Sequence, residues 1–197
     1  MSGAHPFGPE TALIVVDVQN DFADPAGSLF VPGGDRVAEA VAALMRKAAG
    51  MGALVVCTQD WHPPVTSHFR DFGGVWPVHC VAGSWGAQLH PLLPLPTAVV
   101  RKGEEQDDGY SGFGVRHLTT GELAPTDLAP LLSGRGVSAV FVAGLALDVC
   151  VKATALDAVD AGFRTSLICD ATSAVELTPG DGRRALAELA SGGVALV

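Results

Sequence analysis

The feature that most constrains this chain is the alternation of short, continuously apolar, β-branched runs with stretches of helical periodicity. Ala12 to Val16, Leu54 to Thr58, Ala98 to Val100, Ala139 to Val142, Ser166 to Cys169 and Val194 to Val197 read as strands. Runs apolar at every position suit strands buried on both faces, as in a parallel sheet. Between them, Asp35 to Ala49 carries Val37, Val41, Leu44 and Met45 at helical spacing. Asp148 to Ala161 carries Val149, Ala153, Leu156 and Val159 in the same way, and Gly180 to Ser191 reads as a third helix. The alternation predicts a three-layer α/β/α fold, with a parallel, doubly wound sheet of about six strands in a single domain over residues 1–197.

In such a fold the ligand site lies beyond the carboxyl ends of the strands. The stretches Asp60 to Thr97 and Gly103 to Pro125 are rich in Pro, Gly and polar residues and are longer than ordinary connections, as lids and binding loops are. The Gly109 to Gly114 run lacks the order of a dinucleotide fingerprint, and there is no phosphate-binding P-loop.

Charge narrows the partners. A formal net charge of -9, with Lys and Arg scattered, repels phosphate backbones and anionic lipid headgroups, so neither nucleic acid nor membrane is expected as a partner. The segment MSGAHPFGPE does not read as a signal peptide, and the apolar stretch around Val137 to Leu147 falls short of the roughly 20 residues a span requires. A cytoplasmic protein is expected. Cys57, Cys80, Cys150 and Cys169 form no C-x-x-C pair and do not make a disulfide scaffold.

The residues that follow the expected strands are chemically distinctive: Asp17 after the first, Asp60 and His62 after the second, Lys102 after the third and Cys150 just past the fourth. All would sit on one edge of the sheet. Cys150 falls in the first turn of an expected helix, where the dipole and free amides favour a thiolate and can hold an oxyanion. A buried structural cysteine is the alternative on position alone. Asp17 and Lys102 each end an apolar strand and could pair beside the thiol, with the aspartate accepting its proton; taken singly, each reads equally as a rim charge.

Asp60, His62, His68 and His79 are the ligand types of a divalent metal site with open positions. Asp60 and His62 alternate and so point to one side of an extended segment. His5, His90 and His117 are expected at the surface. Phe22, Trp76 and Tyr110 fall in loops around the same edge and suit the walls of a flat aromatic substrate, with ordinary loop packing as the alternative.

The motifs VDVQNDF (Val16 to Phe22), QDWH (Gln59 to His62), WPVHC (Trp76 to Cys80), RKG (Arg101 to Gly103) and GLALDVCV (Gly144 to Val151) resemble the isochorismatase-like cysteine hydrolases, and within them the nicotinamidase and pyrazinamidase branch. The resemblance runs from about Thr11 to Ala171. It implies Asp17, Lys102 and Cys150 as the catalytic triad, and Asp60, His62 and His79 as metal ligands with His68 as a candidate fourth. It also implies a cis peptide between Leu145 and Ala146, an oxyanion hole from the amides of Ala146 and Cys150, and a ring sandwich of Phe22, Trp76 and Tyr110. Leu147 departs from the family, which often has threonine there.

The activity implied is hydrolysis of nicotinamide, and of pyrazinamide, through a cysteine thioester. One divalent metal is implied, zinc foremost, with iron and manganese also fitting the ligand types. The alternatives are an amidohydrolase for carbamoyl or ureido substrates, a metallohydrolase using metal-activated water, and a non-catalytic binding module. A metal set argues against the vinyl ether cleavage of isochorismatase itself. A small-molecule amide is the expected partner, and the sequence leaves homo-oligomerisation open.

Overall fold

The central strands form because successive residues of each apolar run bury into opposite layers; the edge strands Ala98–Lys102 and Ala195–Leu196, expected to be buried on both faces, are instead partly and wholly exposed because a layer or neighbour is missing at the sheet's margins. The computed structural model describes residues 7–105 and 107–197. Its main sheet comprises β1 (Thr11–Val16), β2 (Leu54–Asp60), β3 (Ala98–Lys102), β7 (Ala139–Leu145), β8 (Arg164–Ser173) and β9 (Ala195–Leu196), all parallel, in the order β3-β2-β1-β7-β8-β9. Along β1, Leu13 and Val15 pack into one core while Ala12, Ile14 and Val16 pack into the other. β7 divides likewise, with Phe141, Ala143 and Leu145 on the first side and Val140 and Val142 on the second.

Helix α2 (Gly34–Gly50) covers the first face through Val37, Val41 and Met45, preceded by the short α1 (Asn20–Ala23). The second face is covered by α3 (Leu128–Gly134), α4 (Lys152–Asp160) and α5 (Asp181–Ser191), through Leu128, Leu132, Ala155, Ala158, Ala185 and Leu189. The result is the expected three-layer arrangement around a doubly wound parallel sheet.

The structure departs from the sequence reading in three places. The expected helix from Asp148 begins instead as a π-helical turn, Leu147–Val151, before continuing as α4. The long second loop folds partly into a small antiparallel sheet, β4 (Asp107–Asp108), β5 (Gly114–His117) and β6 (Leu123–Pro125). Strands this short, with exposed Leu123, carry no apolar period to read. Helix α3 is the third departure: at seven residues, with Pro130 inside it, its periodic signal is brief.

Candidate active site

The strand order places the site. Winding runs outward from β1 to β2 and β3 on one side and from β7 to β8 and β9 on the other, so the carboxyl ends of β1 and β7 flank the topological switch point where a crevice must open. Asp17 leaves β1 there, and Cys150 lies in the turn that follows β7. Asp60 and Lys102 are the last residues of β2 and β3 and are register partners, which brings them side by side.

Lys102 reaches across this edge and is fully buried. Its ammonium lies 2.8 Å from Asp17 Oδ2, donates to Asp60 Oδ1, and stands 3.6 Å from Cys150 Sγ. Thr58 Oγ1 donates to Asp17 Oδ1 at 2.6 Å and accepts the Asp17 amide at 3.2 Å, fixing the carboxylate. Asp17 itself adopts a left-handed backbone (φ 47°), a conformation a non-glycine residue holds only where its surroundings impose it.

Charge counting decides the protonation. One buried cation faces three acids, Asp17, Asp60 and Cys150, whose ligating atoms lie within 4.8 Å of one another, and the three cannot all ionise. Burial alone would raise Asp60, but Lys102, with His62 and His79 beside it, holds it well below the usual carboxylate range. Burial would lower Lys102, yet Asp17 and Asp60 keep it firmly cationic. Burial raises Asp17 against the pull of Lys102, and pushes the Cys150 thiol well above its ordinary value. At Cys150 desolvation thus works against the helix end and against Lys102, both of which favour the anion.

His62, His68 and His79 converge on the other side of Asp60, with ligating nitrogens within 4.8 Å of one another. Asp60 Oδ2 lies 3.8 Å from His62 Nε2, too far for a hydrogen bond. Among the described residues neither ring nitrogen of His62, both buried, has a hydrogen-bond partner, which is costly unless something else binds there. His79 Nδ1 lies 2.7 Å from the Pro77 carbonyl and His68 Nδ1 contacts Asp108, so each turns its Nε2 inward. Burial pushes His79 down to about 4, leaving the neutral imidazole that a metal requires. These donors fit a divalent cation. Gly103, at φ 75°, lies against the His62 ring; a Cβ there would sit 2.5 Å from its Nδ1.

A pocket opens between the thiol and the histidines. Cys150 and Ala146 form one end of its lining, Asp60, His68 and His79 another, and Phe22, Trp76 and Tyr110 contribute aromatic wall. The Trp76 indole donates to the Tyr110 hydroxyl at 3.0 Å, closing that wall. Leu29, Val31, Val149 and Val175 complete an apolar lining that sequence reasoning does not reach. The peptide between Leu145 and Ala146 is cis, as the resemblance implied.

Three supporting residues also escape the sequence reading. The Gln19 amide donates to the Asp60 carbonyl and its Oε1 accepts the Asp60 amide, both at 2.8 Å, so one side chain clamps the backbone of Asp60. Asp21 Oδ2 accepts the Cys80 amide at 2.7 Å, holding the loop that carries His79, and a Cβ at Gly86 would collide with that carboxylate. Asp108 is the third. The signal in the sequence is a polar side chain in or beside an apolar strand, as with Gln19 in VDVQNDF. His90, expected at the surface, is buried at 9% exposure because its amide bonds the Val18 carbonyl and folds the loop inward. His117 is half-buried, and His5 lies outside the described residues.

Fold and site together define a three-layer α/β/α hydrolase. The chain belongs to the isochorismatase family, whose Isochorismatase domain model matches residues 11–196. It is 36% identical to the nicotinamidase of Escherichia coli (strain K12), over 95% of this chain and 94% of that protein. Among solved structures, the pyrazinamidase of Pyrococcus horikoshii in complex with zinc superposes with a TM-score of 0.85 at 44% identity, covering 96% of this chain and 99% of that one. PnC1 from L. infantum in complex with nicotinate superposes with a TM-score of 0.87 at 40% identity, covering 97% of this chain and 94% of that one.

Proposed function

We propose that this chain is a nicotinamidase, a single hydrolase domain that converts nicotinamide and water to nicotinic acid and ammonia, with pyrazinamide as a second substrate. The observation that carries the reading is the aromatic-walled cavity, with a thiol ion-paired at one end and a histidine cluster at the other. Relatives bearing the names nicotinamidase and pyrazinamidase, and a neighbour holding nicotinate, support it.

The ring enters between Phe22, Trp76 and Tyr110, which stack on its faces and exclude water. Asp60, His62 and His79, with His68 as fourth ligand, would hold a divalent metal, zinc foremost, which would supply Lewis acidity toward the ring. Held between these side chains, the ring presents its carboxamide carbon to Cys150. Asp17 takes the thiol proton as Sγ attacks that carbon, and Lys102 stabilises the sulfur anion in passing. The carbonyl oxygen becomes an oxyanion held by the amides of Ala146 and Cys150.

Asp17 returns its proton to the leaving nitrogen, the C–N bond breaks and ammonia departs, leaving a thioester. Water then attacks the thioester, giving a proton to Asp17; the C–S bond breaks, nicotinic acid leaves and the thiol is restored with that proton. Leu147, where the family often has threonine, opens the turn that carries Cys150 without contributing a polar group.

Ammonia release from nicotinamide by the purified protein, before and after chelation and with zinc added back, tests the reading. Release that falls on chelation and recovers is expected. No release by protein with metal demonstrably bound would overturn the substrate and direct attention to carbamoyl and other amides.

A further inference from the structure

The loop that carries Tyr110 makes three successive ties to the site. Asp108 holds His68, the Gly109 carbonyl lies 3.4 Å from Lys102 Nζ, and the Tyr110 hydroxyl accepts the Trp76 indole N–H at 3.0 Å. The first tie is the most consequential. His68 Nδ1 lies 2.8 Å from one Asp108 oxygen and 2.9 Å from the other, and the Gly109 amide donates to Oδ1 at 2.8 Å, so the carboxylate is itself oriented. His68 is only 6% exposed and stacks on His62 with centroids 4.4 Å apart, so water does not serve its ring in place of that carboxylate.

We propose that Asp108 is a positioning residue: it fixes His68 as an Nε2 donor to the metal and couples that donor to the loop forming the Tyr110 wall. The inference rests on the metal reading above. An imidazole whose Nδ1–H is held by a carboxylate has its tautomer and ring plane set and is a more basic ligand than one held by a carbonyl. His79 has the carbonyl of Pro77; His68 has a carboxylate delivered from 40 residues away. Asp108 is paired with Arg116 in the small antiparallel sheet, so the backbone that aims it is the backbone that presents Tyr110 two residues on. Without the carboxylate His68 is free to rotate or change tautomer, and the loop slackens at the same point.

Zinc affinity, measured on the full chain by competition with a chromogenic chelator, tests this in the native protein, D108A, D108N, H68A and the D108A/H68A pair. D108A is expected to weaken zinc about 10- to 100-fold. D108N, which keeps an acceptor oxygen in place, should recover most of that affinity. In the H68A background, D108A should change zinc affinity by no more than about twofold, because Asp108 acts through His68. At saturating zinc, D108A should still raise KM for nicotinamide more than it lowers kcat.

D108A binding zinc like the native chain, or weakening it equally in the H68A background, overturns the proposal. Nitrogen-15 NMR of metal-free native protein gives an independent reading that needs no variant: His68 is expected as the Nδ1–H tautomer, and an Nε2–H tautomer overturns the assignment. A native chain that binds no zinc sinks the metal reading and this proposal together. A chain that binds zinc without hydrolysing nicotinamide sinks only the substrate, and the zinc series still decides Asp108.

Discussion

Lys102 is ion-paired to Asp60, the carboxylate that faces the histidine cluster, so the thiol centre and the histidine centre share one buried cation. Replacing it by Met leaves Asp17 and Asp60 buried without their counter-charge. Removing one partner of a buried pair costs about 3–5 kcal/mol. Lys102→Met should therefore shift the urea unfolding midpoint down by that equivalent and abolish turnover. Unchanged unfolding would mean the two carboxylates find protons or water at no cost, contrary to their burial.

The pH profile should carry the mark of Asp17. Its carboxyl is raised by burial, and the proposed mechanism requires it unprotonated, so kcat/KM is expected to fall as pH drops through that raised value. The acid limb is expected above the pH at which an ordinary aspartate, near 3.8, would titrate. A limb at or below that position would assign the base elsewhere.

Cys150→Ala removes the proposed nucleophile but none of the histidines. Turnover should drop by about 10⁴-fold or more, while zinc binding stays close to native. Acid-quenched native enzyme should show a mass adduct equal to the nicotinoyl group. Appreciable turnover by the variant would favour metal-activated water over the thioester route.

Gln19 is predicted to matter although it touches no substrate. Gln19→Ala strips both backbone partners from Asp60 in a buried setting, at a cost of about 1–3 kcal/mol. Thermal unfolding should register that cost, and zinc affinity should weaken because Asp60 is no longer clamped.

The ring wall should govern KM. Trp76→Ala removes an aromatic face and the partner of the Tyr110 hydroxyl. Burying a large apolar side chain contributes roughly 1.5–3 kcal/mol, so KM for nicotinamide is expected to rise about 10- to 100-fold. Tyr110→Phe removes only the hydrogen bond and should raise KM about fivefold. Steady-state kinetics at saturating zinc would separate these from effects on chemistry; an effect confined to kcat would place Trp76 outside the binding wall.

What can be read from the chain alone is what local chemistry dictates. Continuous apolar runs mark the strands, those at the sheet centre being buried on both faces, and the turn of residue type at their carboxyl ends, Asp17, Asp60, Lys102 and Cys150, reveals the site edge. Short or mixed elements are not readable: β4 to β6 and α3 hold together by pairing and packing rather than by a period of their own. Asp108 and Gln19 look like loop and strand polar residues until folding brings each against a partner about 40 positions away.

The sequence by itself determined the layer architecture, the identity of the reactive groups and their common edge, because periodicity and residue chemistry are properties of short segments. Only the tertiary structure decided which charges share Lys102, how deeply Cys150 is buried beside them, and which nitrogen His68 and His79 turn inward. Those depend on desolvation and on distances between strands remote in the chain, and neither exists until the sheet has closed around them.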